Sequence, residues 1–109
     1  MSHRKERFSS TLKQCLADIL VRDMNDPLIK SVFISEVIVS PDLKKAKIFV
    51  SSSLTPAFDD NTALNPESDP DQLVPRLTKA KGFIKRALAE RMYLKYIPEL
   101  MFIKDETNK

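Results

Sequence analysis

Apolar side chains recur at Phe8, Leu12, Cys15, Leu16, Ile19 and Leu20, in steps of three and four. That spacing gathers them on one face of a helix running from about Lys5 to Met24, with Arg4, Lys5, Lys13, Asp18 and Asp23 on the other. The helix must end near Asn25-Asp26-Pro27, because Pro27 biases Asp26 away from helical backbone angles. Cys15 lies within the stripe and reads as a small core residue. Two runs rich in Val, Ile and Phe follow, Val32–Val39 and Ala46–Ser52. The Pro-Asp turn chemistry of residues 40–45 between them predicts a β-hairpin. In the second strand Ala46, Ile48 and Val50 should face the helices, and Lys47, Phe49 and Ser51 should face outward.

From Ser51 to Asp71 the periodicity dissolves into Ser, Pro, Asp and Asn. This segment predicts an acidic loop, mobile between residues 54 and 70. Helical spacing returns with Leu73, Leu77, Ala80, Phe83, Ile84, Ala87, Leu88 and Met92. Asp69 or Asp71 could cap its start, but Pro75 forfeits a backbone hydrogen bond beyond the first turn, so the helix is expected to begin only near Pro75. Tyr96-Ile97-Pro98 closes this region, and Leu100–Lys104 reads as a short last strand.

The chain's one glycine, Gly82, falls in the middle of the strongest helical pattern, where it costs about 1 kcal/mol relative to alanine. Three explanations suit it: a cap that splits the helix, close approach of another backbone, or a break whose new helix start offers N–H groups to a phosphate. The resulting order, helix–strand–strand–helix–break–helix–strand, is that of an α+β, type II KH domain. Three strands would form its sheet, with the helices packed on one face. A KH domain usually clamps nucleic acid with a GXXG loop, which a chain with one glycine cannot have.

Charge sharpens this picture. The formal net charge of the 109 residues is +3, yet residues 48–75 contain no Lys or Arg and five carboxylates. The remainder carries 18 basic against 10 acidic residues. Arg76, Lys79, Lys81, Lys85, Arg86, Arg91 and Lys95 stand against Glu90 alone between positions 76 and 95, a footprint that suits a polyanion. A solvated helix face explains the same charges equally well. One cysteine and one histidine leave no CxxC metal site, His-based zinc site or Ser-His-Asp triad. No enzymatic activity, cofactor or small-molecule substrate is expected. Apolar runs fall far short of the roughly 20 residues that span a bilayer, and no signal-peptide pattern opens the sequence. A soluble, intracellular, monomeric protein is expected.

Several segments resemble the ribosome-binding factor A family. Ala80-Lys81-Gly82-Phe83-Ile84-Lys85-Arg86 is similar to the Ala-x-Gly kink that replaces GXXG in that family. Leu94-Lys95-Tyr96-Ile97-Pro98-Glu99-Leu100 and Asp105-Glu106 resemble the approach to its last strand and the exit from it. Asn25-Asp26-Pro27-Leu28 and the stretch from Val39 to Val50 resemble two further family segments, so the likeness covers residues 4–107 in order. Two features depart from the family: the acidic loop is several residues longer, and the sequence ends at Lys109, where members often continue into a basic tail or helix.

The resemblance implies a single KH-like RNA-binding domain over residues 4–107. It implies a cytoplasmic factor that binds the free small ribosomal subunit and its rRNA in late assembly, assists processing of the start of that rRNA, and serves cold adaptation. Lys44, Lys45 and Lys47 on the hairpin, with Arg76, Lys79, Lys81, Lys85 and Arg86 around the kink at Ala80 and Gly82, are the expected RNA-binding residues. A KH-like module for another RNA and a protein-interaction adaptor are the alternatives.

Overall fold

A computed structural model describes residues 4–52 and 72–105. The acidic loop, its two candidate capping aspartates and Glu106 lie outside the described residues. Helix α1 spans Arg4–Arg22 and buries Leu12, Leu16, Ile19 and Leu20 completely. Burial of each such side chain contributes roughly 1.5–3 kcal/mol. Phe8 and Cys15 flank this stripe, half-buried against the core.

The expected stop at Pro27 is also a start. Asp26 takes an extended conformation and its carboxylate accepts the Leu28 N–H at 2.9 Å, capping a one-turn helix α2, Pro27–Lys30, that the hydrophobic pattern does not announce. Proline is preorganised for the first helical position, where its missing N–H costs nothing. The turn buries Leu28 and Ile29 under α1.

Strands β1 (Val32–Val39) and β2 (Lys45–Ser52) pair antiparallel, and β3 (Glu99–Lys104) joins β2 in parallel, giving the sheet order β1-β2-β3. A bulge leaves Ser35 unpaired, so that Ile34, Val37 and Val39 all point to the same side. The Ser35 hydroxyl bonds the Asp105 carboxylate, with the Phe49 carbonyl 3.2 Å away, which ties β1 to the exit of β3 across β2. At the hairpin, the Ser40 carbonyl accepts the Leu43 N–H, and Leu43 enters the left-handed region at φ 61°. The Ser40 hydroxyl and the Lys44 N–H hold the Asp42 carboxyl below its ordinary range.

Helices α3 (Leu73–Lys79) and α4 (Lys81–Met92) carry the chain from β2 back to β3. Pro75 does not delay α3, because it sits in the first turn, where backbone N–H groups have no helical partner to lose. The helices lie on one face of the sheet: α1 packs on β1 and α4, while α3 packs on β2 and β3. Ala46, Ile48, Val50, Leu100 and Phe102 meet Leu77, Ile84 and Leu88 in one core. Phe83, expected in the buried stripe, is instead 42% exposed. One residue along a helix is a rotation of about 100°, and Ile84 rather than Phe83 points at the sheet. The observed architecture is the expected α+β, KH type II-like arrangement.

Candidate nucleic-acid interface

The turn at Ala80 (φ −87°, ψ 5°) ends α3 and begins α4. The break therefore falls two residues before Gly82, which lies in the first turn of α4 with a negative φ. A methyl group placed on Gly82 would meet nothing within 4 Å. The fold thus needs glycine there neither as a cap nor for close packing, contrary to both structural explanations offered by the sequence. Gly82→Ala is expected to raise stability by about 0.4–1 kcal/mol, read as an increase in Tm. A drop in Tm would show that residue 82 needs the freedom of glycine.

Among the described residues no side chain caps α4, and its first turn carries the exposed Gly82 beside Lys79, Lys81, Lys85 and Arg86. Lys81 and Lys85 both reach Glu99 at the start of β3, at 3.1 and 3.6 Å. The hydrogen bond from Lys81, then the charges of Lys81 and Lys85, hold the Glu99 carboxyl below its usual range. The clasp therefore persists at neutral pH and is lost only as pH falls through that lowered value. Glu99 is also the in-register neighbour of Lys45 on β2, and its N–H donates to the Lys44 carbonyl at 2.8 Å. Strand pairing thus sets the backbone of Lys44 and Lys45 beside that of Glu99, whose carboxylate is held by Lys81 and Lys85.

The other expected residues are placed differently. Arg76 is held by Asp26 at 2.9 and 3.0 Å, both side chains about three-quarters buried. It shares an open cleft of about 480 Å³ with Met24, Asn25, Ile29 and Lys79. Among the described residues Lys45, Lys47, Lys79 and Arg86 have no ion-pair partner. Arg91, counted in the basic run, clasps Asp18 and Asp23 and fastens α4 to α1. Lys95 lies 5.8 Å from the Tyr96 ring centre. In the sequence Glu99 is only part of a strand's approach, and its organising role emerges from the parallel pairing of β2 with β3. Among the described residues no group of His, Cys, Asp or Glu could hold a metal ion.

The sequence profile described as ribosome-binding factor A matches residues 4–109. The chain belongs to this family. A ribosome-binding factor A from Coxiella burnetii (strain Dugway 5J108-111) is 31% identical over 107 residues, covering 98% of this chain and 80% of that protein. The crystal structure of ribosome-binding factor A from Thermus thermophilus superposes with a TM-score of 0.72 at 20% identity, covering 96% of this chain and 99% of that one. A homology model of the Thermus thermophilus ribosome binding factor A, as fitted into the cryo-EM map of a 30S complex of that protein, gives 0.67 at 20% identity, covering 92% of this chain and 93% of that one. These two likenesses establish the ribosome-binding factor A fold for the chain.

Proposed function

We propose that this protein binds the free small ribosomal subunit and its rRNA and acts as an assembly factor in late maturation, including processing of the start of that rRNA. The observation that carries the reading is that the fold brings two basic segments together at the start of β3: Lys81 and Lys85 of α4 meet the Glu99 carboxylate, and strand pairing sets Lys44 and Lys45 of the hairpin next to Glu99 along the backbone. Family membership and the 30S complex of a Thermus relative point the same way. Such a surface neutralises phosphates and carries little sequence information, so the shape of the rRNA supplies the specificity. Lys47, Lys79 and Arg86 extend it, and the uncapped start of α4 beside Gly82 offers N–H groups to a further phosphate. The protein acts as a cytoplasmic monomer without catalysis of its own, and its role grows in the cold, where rRNA misfolding is slowest to correct. Among the described residues no helix is long and apolar enough to cross a membrane.

Sedimentation with separated ribosomal subunits tests this. The protein should travel with small subunits and not with large ones, and less of it should do so as salt rises. Equal recovery with both subunits, or binding indifferent to salt, would reject the reading.

A further inference from the structure

Among the described residues the helices cover one face of the sheet, and no element covers the other. On the bare face stand Phe33, Ile38, Phe49 and Met101, of which Phe33 is 60% and Met101 50% exposed. An apolar sheet face open to water is an aggregation hazard unless something binds it. Phe33 pairs with Ser51 and Glu36 with Phe49, so the two rings are diagonal neighbours on adjacent strands. Such neighbours lie roughly 7–8 Å apart, within reach of two successive unstacked bases. Lys45 and Lys47 precede Phe49 on the same face of β2 and have no ion-pair partner among the described residues. Of the carboxylates on this face, Glu99 is engaged by Lys81 and Lys85, which leaves Glu36 on the outer strand.

Aromatic rings on a sheet surface, flanked by unpaired lysines, form a stacking platform for single-stranded RNA, because every base has a π-face and every linkage a phosphate. We infer that the bare face binds unpaired rRNA: Phe33 and Phe49 stack on bases while Lys45 and Lys47 take the adjoining phosphates. The inference rests on the RNA reading above and extends it from charge to base contact. It also accounts for the bulge at Ser35. Were Ser35 paired in regular alternation instead of bulged out, Phe33 and Ile34 would fall out of phase with Ile38 and Val39, and Phe33 would not share a face with Phe49.

The test uses the full chain, a fluorescent, unstructured oligoadenylate, and small subunits. Phe33→Leu/Phe49→Leu keeps apolar bulk and removes both rings. It should weaken oligoadenylate binding about tenfold with the salt slope unchanged. Lys45→Gln/Lys47→Gln should instead lower the slope by roughly 0.7 for each phosphate no longer neutralised. Circular dichroism checks that each variant folds. Unaltered oligoadenylate affinity in the leucine variant, or no measurable binding by the parent at low salt, overturns the inference. So does loss of subunit binding alone, which would assign the face to a ribosomal protein. Failure of the parent to bind subunits, with ring-dependent RNA binding intact, would reject the assembly role and leave the platform standing.

Discussion

Replacing Lys44, Lys45, Lys81 and Lys85 together by glutamine should weaken small-subunit binding by at least about a hundredfold at moderate salt and flatten its salt dependence. The size of the effect follows from the geometry around Glu99. Lys81 and Lys85 hold its carboxylate and strand pairing sets Lys44 and Lys45 beside it along the backbone, so the substitutions remove four cations and leave Glu99 uncompensated. Each phosphate left without its lysine should reduce the slope of log affinity against log salt by roughly one. Glu99→Gln is the converse: it releases Lys81 and Lys85 and should tighten binding while the number of neutralised phosphates stays the same. Neither variant should unfold the domain, because the Glu99 side chain is 58% exposed and exposed pairs contribute little. Sedimentation across a salt series, with circular dichroism of each variant, measures both quantities. A folded quadruple variant with the parent's affinity and slope would place the phosphate-binding surface elsewhere.

The fold is legible wherever burial imposes a period on the sequence. Leu12, Leu16, Ile19 and Leu20 announce α1, and the alternation of Ala46, Ile48 and Val50 with Lys47 and Phe49 announces which side of β2 is covered. Gly82 signals a break between α3 and α4, yet the chain turns at Ala80. Leu77 and Ile84 are seven residues apart, two turns of an unbroken helix, so periodicity alone conceals the turn between them. Short elements are hidden for a different reason: a one-turn helix such as α2 has too few residues to show a stripe.

Candidate cations are readable as a set, but their division of labour is not. Arg76, Lys81 and Arg91 look alike in a basic run, whereas the structure commits Arg76 to Asp26 and Arg91 to Asp18 and Asp23. Those partners lie about 50 to 73 positions away in sequence, beyond any local pattern. The bare aromatic face is half visible, since alternation along β2 already turns Phe49 outward. The bulge at Ser35 that aligns Phe33 with it emerges only when β1 is paired with β2.

Asp26 illustrates how one side chain can hold several elements at once. Its carboxylate caps α2 through the Leu28 N–H and also receives Arg76 from α3, so it joins the end of α1 and the turn of α2 to the helix that follows β2. Asp26→Ala removes the cap, at a cost of about 1 kcal/mol. It also strands the Arg76 guanidinium, which is only 28% exposed, without a counter-charge. Loss of a hydrogen bond to a charged group adds about 1.5–3 kcal/mol. The variant should therefore lose roughly 2.5–4 kcal/mol, summed from those two contributions. Asp26→Asn separates them. Asparagine caps as well as aspartate, so this variant should keep α2 and lose only the ionic part, the larger share of the total. Arg76→Gln should match Asp26→Asn in stability, because both leave one partner of the same pair. Urea unfolding of the three variants reads these differences directly. If Asp26→Ala cost no more than Asp26→Asn, the cap would contribute nothing. If Arg76→Gln left stability untouched while weakening subunit binding, Arg76 would belong with the RNA-facing cations instead of the scaffold that positions them.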